Sequence, residues 1–139
     1  NKHKKWKAIV IGDEEREKLI FKHKRLDIKG FKKHNEVINI FKKTSIAVVC
    51  SRWQEPFGRT SLEASSCGCA VIITNRGGLP ETITNGRILK ELNVKEIYKN
   101  IEDLIRNSSI RKKYQKLSYK NFYLSHEFVS KQIDKIRNN

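Results

Sequence analysis

Two glutamates with seven residues between them, Glu55 and Glu63, form the part of the sequence best suited to chemistry. The segment 56–62 follows an apolar run and leads into a helical pattern, so it predicts a passage from a strand end into a helix. The free amides of a helix N-terminus favour an anion such as a diphosphate, whereas carboxylates accept hydrogen bonds from neutral hydroxyls. We therefore predict that the two carboxylates bracket a phosphate group and hold hydroxyls beside it.

The start of this helix allows two interpretations. In the first, the amides of residues 59–61 face a ligand, and Gly58 lets that ligand approach the backbone. In the second, Thr60 and Glu63 form a capping box, in which the Glu63 carboxylate only binds its own helix start. The spacing alone leaves both open, and the surrounding acid and glycines favour the ligand site because capping does not require them.

Short apolar runs rich in β-branched residues alternate with helical patterns along the chain up to residue 90. From residue 94 onward the pattern is helical. This alternation predicts an α/β fold, a doubly wound, Rossmann-like parallel sheet with a helical C-terminal segment, and such sheets bind ligands at the carboxyl ends of their strands. The predicted strands cover residues 7–11, 26–30, 46–50, 70–74 and 87–90, and the predicted helices cover 14–22, 35–41, 60–66 and 79–84.

Apolar patterning also predicts which elements are buried. The continuous runs at 7–11 and 46–50 are typical of strands buried in a parallel sheet, the second of them on both faces. Helical stripes of apolar residues over 94–105, 110–117 and 128–136 predict three packing faces. Two basic residues, Lys42 and Lys43, are predicted to lie in the last turn of the helix that starts near residue 35.

The segment 51–86 resembles the donor-binding domain of the retaining glycosyltransferases of family 4 and their GT-B relatives. Element order extends a weaker likeness from residue 7 to the C-terminus. The resemblance implies that residues 1–139 are a nucleotide-sugar-binding domain, the C-terminal half of a GT-B enzyme, without its first strand–helix unit and without the acceptor-binding N-terminal domain. The motif that carries it comprises Glu55, Glu63-Ala64, Gly68, Ala70-Val71, Gly77-Gly78-Leu79-Pro80-Glu81-Thr82-Ile83 and Asn85-Gly86.

Carried over by position, the resemblance gives Glu55 the catalytic-site role of holding donor-sugar hydroxyls, and Glu63 the ribose hydroxyls. It places the loop after the second strand, Lys29, Gly30 and Phe31, close to the nucleobase. Trp53 lies beside the predicted site, where it either stacks on a sugar or packs under the loop. The donor-binding residues that the resemblance implies are Phe57, Gly58, Arg59, Thr60, Glu63, Gly77 and Gly78.

The resemblance also implies metal-independent transfer with retained anomeric configuration. No Asp-x-Asp element is present, and no cofactor is expected beyond a substrate of the UDP- or GDP-sugar type. The family's Arg and Lys pair for the leaving diphosphate has no counterpart, and Glu14 stands where its second glycine falls. We therefore expect the full-length protein to be a hexosyltransferase acting on a glycan or lipid-linked acceptor, as in polysaccharide or lipopolysaccharide biosynthesis, and this chain alone to bind without turnover.

Composition sets the remaining expectations. A formal charge of +15 attracts anions, so peripheral contact with an anionic membrane joins the nucleotide sugar and the missing N-terminal domain as expected partners. Neither a membrane span nor a signal peptide is apparent, which predicts a cytoplasmic protein, peripheral to the inner membrane face. Three cysteines are expected to be reduced. Nucleic-acid binding is disfavoured because aromatic residues are sparse, and a nucleotide-sugar epimerase of related fold is the other alternative.

Overall fold

The computed structural model describes residues 2–12 and 20–138. The chain divides into two compact units, Asn1–Asn39 and Ile40–Asn139. The predicted functional residues are divided between them, with the nucleobase loop in the first unit and the paired glutamates in the second.

The first unit is built on a two-stranded parallel sheet of β1 (Ala8–Val10) and β2 (Leu26–Ile28). Both strands were predicted, but the predicted burial of β1 is wrong: two of its three residues are exposed, since β1 pairs with one strand among the described residues. The helix predicted over 14–22 lies mostly outside the described residues, and residues 20–22 are not helical. Helix α1 (His34–Phe41) ends before the two lysines predicted for its last turn, because the chain turns at that point.

The second unit contains a three-stranded parallel sheet in the order β3-β4-β5, with helices between and after the strands. Its strands and its first helix lie where the sequence predicts them, within one or two residues, and the part of the chain after residue 94 is largely helical as predicted. The predicted helix at 79–84 is a short 3₁₀ helix. The elements are β3 (Ile46–Val49), α2 (Arg59–Ser66), β4 (Ala70–Thr74), the 3₁₀ helix (Leu79–Thr82), β5 (Gly86–Leu89), α3 (Val94–Arg106), α4 (Ser108–Lys120) and α5 (His126–Arg137).

Strand β4 is the centre of the core, and all five of its residues are buried. The innermost cluster joins β4 to β5 and α3 through Ala70, Ile72, Leu89 and Leu104. The prediction of burial on both faces was made for β3 and is wrong there, because β3 lies at an edge of its sheet and Val48 is 41% exposed. A continuous apolar run therefore identified a strand correctly but not its position in the sheet.

The helical stripes differ in what they cover. The stripe of α3 packs against the core through Ile97, Ile101 and Leu104, and Tyr114 of α4 joins them. The stripe of α5 is not a packing face, since no residue of α5 is buried. Periodicity identifies an apolar face without specifying a partner, and this is why the third prediction failed. None of the helices in the described residues is long and apolar enough to cross a bilayer.

Replacing Leu104 by alanine tests the central role of the β4 core. Leu104 is fully buried, so Leu104→Ala should lower the free energy of unfolding by about 2–5 kcal/mol through lost burial and a residual cavity. The matched control is Val94→Ala in the same helix, where the side chain is 84% exposed and the change should stay within about 0.5 kcal/mol. Urea denaturation measures the free energy of unfolding of both variants, and equal losses would contradict the placement of Leu104 in the β4 core.

Candidate functional site

The carboxyl ends of β3 and β4 are joined directly by hydrogen bonds. The Ser51 amide donates to Thr74 Oγ1 at 2.9 Å, and the same hydroxyl donates to the Ser51 carbonyl at 3.0 Å. Thr74 is buried, so these bonds are shielded from water. The loops that follow the two strands therefore start from a fixed separation at one edge of the sheet.

The two loops then meet through their backbones. The Gly77 amide donates to Gln54 Oε1 at 2.6 Å, and the Gly78 amide donates to the Glu55 carbonyl at 2.7 Å. A Cβ on Gly77 would lie 2.8 Å from the Glu55 nitrogen, and a Cβ on Gly78 would lie 2.6 Å from the Pro56 carbonyl oxygen. Gly77 also has a φ of +53°, a left-handed backbone conformation that residues with a Cβ disfavour. The glycine pair therefore positions the backbone that carries Glu55.

Helix α2 begins with an exposed, uncapped turn. Its N-cap residue, Gly58, has the left-handed conformation (φ 87°, ψ 58°), and no side chain caps the helix. The amides of Arg59, Thr60 and Ser61 donate no hydrogen bond to another group in the part of the chain that the structure describes. Arg59 and Thr60 are exposed residues, so this turn lies at the surface, where unpaired helix N-terminal amides are able to meet an anion.

This helix start decides between the two interpretations of Glu63. Because Gly58 is the N-cap, Thr60 is the second helical residue and Glu63 the fifth, which is not the spacing of a capping box. The capping interpretation is therefore wrong, since the N-cap lies two residues before Thr60 and the helix begins at Arg59. The Glu63 carboxylate lies 3.8 Å from Nη2 of Arg59, and its side chain is 19% exposed.

A buried pair of hydroxyls holds the start of α2 against the 3₁₀ helix. Ser61 Oγ lies 2.7 Å from the Gly58 carbonyl oxygen, Thr82 Oγ1 lies 2.7 Å from the Leu79 carbonyl oxygen, and the two hydroxyls are 2.5 Å apart. Each hydroxyl has one proton, so two of these three contacts are hydrogen bonds at any one time, and either hydroxyl is able to donate to the other. Sequence reasoning missed this pair. The signal was the spacing of Ser61 and Ser65, which lie one turn apart on the buried face of α2.

The remaining residues of the strand-to-helix loop differ in exposure. Glu55 is half-buried, and its carboxylate has no hydrogen-bond or ion-pair partner among the described residues. Phe57 is exposed. Trp53 is 80% exposed, and its backbone amide donates a hydrogen bond to Ser51 Oγ at 3.0 Å. Trp53 therefore does not pack under the loop, and stacking on a sugar stays a prediction.

The residues predicted to lie near the nucleobase belong to the first unit, where they follow β2. Lys29 forms an ion pair with Asp27 at 2.8 Å, and Phe31 is exposed. Gly30 has a φ of +59°, and its carbonyl accepts a hydrogen bond from the Gly12 amide at 3.0 Å. The loop thus lies at the carboxyl ends of β1 and β2, the edge at which parallel sheets bind ligands.

The cysteines are free thiols, as predicted. Burial raises the pKa of the Cys69 thiol to about 12, with a smaller contribution from Cys67, and burial also raises the pKa of Cys50. Both thiols are therefore protonated near neutral pH and are poor nucleophiles. Among the described residues, no group of three or more histidine, cysteine, aspartate or glutamate side chains is placed to hold a metal ion.

Comparison with known proteins gives consistent matches. The sequence model of the family described as glycosyl transferases group 1 matches residues 1–121. Spore coat protein SA of Bacillus subtilis is 35% identical over 92 residues, which are 63% of this chain and 24% of that protein. A glycosyltransferase from Rickettsia africae has a TM-score of 0.76 at 22% identity, over 96% of this chain and 40% of that one. Anabaena HepE in complex with UDP and glucose has a TM-score of 0.72 at 21% identity, over 95% and 40%.

These matches confirm the predicted fold class, a Rossmann-like parallel α/β domain with a helical C-terminal segment. The chain spans about a quarter of the length of curated relatives such as spore coat protein SA and 40% of the two structures.

The contact of Gly77 with the Glu55 backbone can be tested by stability. Gly77→Ala should cost about 1–2 kcal/mol for the left-handed backbone and an additional 1–3 kcal/mol or so for the forced separation of the loops. Gly68→Ala is the matched control: Gly68 also has a positive φ, but its Cβ would meet the nearest atoms at an ordinary 3.5 Å. Equal changes in the free energy of unfolding, measured in urea, would refute the backbone contact.

Proposed function

Because the chain belongs to the glycosyl transferases of group 1 and has the fold of the C-terminal domain of GT-B enzymes, we propose that it is the nucleotide-sugar-binding domain of a glycosyltransferase. The full-length protein transfers a hexose from a UDP- or GDP-sugar to a glycan or lipid-linked acceptor. An N-terminal acceptor-binding domain completes the cleft, and the chain by itself binds the donor without turnover. We place the protein in the cytoplasm, at the inner face of a membrane.

The observation that carries this proposal is the open first turn of α2 beside the fixed Glu55 loop. Exposed backbone amides at a helix N-terminus suit a diphosphate, and a half-buried carboxylate without a protein partner suits sugar hydroxyls. HepE, which shares the fold, has been crystallised with UDP and glucose. In this chain the amides of Phe57, Gly58 and Thr60, with Arg59 beside them, receive the phosphates.

The proposed reaction is metal-independent and retains the anomeric configuration, as in glycosyltransferases of family 4. The bond between the anomeric carbon and the diphosphate oxygen breaks, and an acceptor hydroxyl oxygen bonds to that carbon on the same face. The proton of this hydroxyl passes to the departing diphosphate. The α2 amides stabilise the negative charge that develops on the leaving group, while Glu55 holds the sugar in position.

Calorimetry with UDP and UDP-glucose tests the roles of the two glutamates. Glu63→Gln should weaken both ligands by about tenfold or more, because ribose is common to them. Glu55→Gln should weaken UDP-glucose and leave UDP unchanged, because its carboxylate is assigned to the sugar. GDP and GDP-mannose, titrated in the same way, identify the base. Glu127→Gln, an exposed change of the same charge in α5, is the control and should alter neither affinity. The absence of saturable nucleotide binding would refute the proposal.

Trp53 is proposed to stack on a sugar ring at the mouth of the same site. The chain has two tryptophans, so Trp6→Phe leaves Trp53 as the single indole fluorophore. UDP-glucose should then change the Trp53 emission where UDP does not, and Trp53→Ala should weaken UDP-glucose about twofold to tenfold without affecting UDP. Identical emission with the two ligands would contradict the stacking while leaving the nucleotide site intact.

A further inference from the structure

Helix α4 differs in charge from the other helices of the described residues. It carries five basic side chains and no acidic one, whereas the net charges of α1, α2, α3 and α5 lie between −1 and +1. The excess positive charge of the helices is therefore concentrated on α4, which carries five of the chain's fifteen excess positive charges.

Four of the five basic residues lie on one face. At about 100° of rotation per residue, Lys112, Lys113, Lys116 and Lys120 fall within an arc of about 100°. All four are exposed, and none forms an ion pair within the described residues. We call these four residues the α4 lysine stripe. They extend over about 12 Å of the helix, at about 1.5 Å per residue.

The stripe is directed away from the protein. The residues of α4 that face inward are Tyr114, which packs on the core, and Ser118, whose hydroxyl donates to the Asn85 carbonyl at 2.6 Å. On the helix these two lie roughly opposite the centre of the stripe. Tyr119 borders the stripe and is 70% exposed. Side-chain and backbone contacts of the inner face thus hold the lysines outward in a fixed row.

We propose that the α4 lysine stripe binds the surface of an anionic lipid bilayer. Four lysines on one helix face match the charge cluster that attracts acidic headgroups, and a straight row fits a plane. Tyr119 supplies an amphipathic ring, of the kind that lies at the boundary between headgroups and acyl chains. Lysine ammonium groups act as point charges that suit a diffuse anionic surface. The inference rests on the proposed location at the inner face of a membrane, but it concerns a surface other than the donor site and does not depend on nucleotide binding.

Co-sedimentation with vesicles tests the stripe. The chain should bind vesicles of phosphatidylcholine containing phosphatidylglycerol, bind pure phosphatidylcholine weakly, and lose affinity as salt rises. The quadruple variant Lys112→Gln, Lys113→Gln, Lys116→Gln and Lys120→Gln should reduce the affinity for the mixed vesicles at least about a hundredfold, since each lysine contributes roughly fivefold. Glutamine keeps the helix propensity of lysine, and an unchanged circular dichroism spectrum and melting temperature establish that the variant is folded.

A matched control separates the stripe from the overall charge. Replacing four exposed lysines elsewhere by glutamine gives the same net charge and should leave vesicle affinity within about twofold of the unmodified chain. The control positions are Lys5, Lys24, Lys43 and Lys90. Equal losses in the two variants would overturn the proposal, because total charge would then be the cause. Tighter, stripe-dependent binding to duplex DNA than to the mixed vesicles would also overturn it, in favour of a nucleic acid.

Discussion

The candidate site depends on one close backbone contact, between the glycine pair at 77–78 and residues 54–56. Two amide hydrogen bonds cross this contact, and there is no space for a Cβ on either glycine. The contact pairs donors and acceptors with each other that two isolated loops would leave to water. It also fixes the backbone position of Glu55. A carboxylate on a fixed backbone binds hydroxyls at a lower entropic cost than a carboxylate on a mobile one.

Hydrogen bonds on both sides of this contact extend the same constraint. Toward the sheet, the Thr74 hydroxyl holds Ser51, so the loop begins at a fixed point. Toward α2, the buried hydroxyls of Ser61 and Thr82 hold the helix start against the 3₁₀ helix. The side chains in this network occupy the inner side of the helix start, which leaves the outward amides of the first turn available. The amides of the candidate site are therefore held in place by residues on the inner side of the helix start.

Much of the fold was predictable because its signals are local. Apolar runs, helical periodicity and glycines gave the order of the elements and nearly all their bounds. Burial was less predictable, since it depends on neighbours: the run at 46–49 forms an edge strand, and no residue of α5 is buried. In the site, the spacing of the glutamates and glycines indicated the loop, but the Ser61–Thr82 pair joins residues 21 positions apart and leaves only a weak local signal.

Charge acts at two scales in this chain. The formal charge of +15 raises the concentration of any anion near the surface, but it does not distinguish a nucleotide from a lipid or a nucleic acid. The predicted site adds two carboxylates, which repel anions in general and accept hydrogen bonds from hydroxyls. A ligand that combines a diphosphate with sugar and ribose hydroxyls satisfies both the amides of α2 and the acids beside them, whereas an inorganic anion satisfies the amides alone. In the proposed site, the overall positive charge therefore attracts anions, and the local arrangement of neutral amides and acids selects among them.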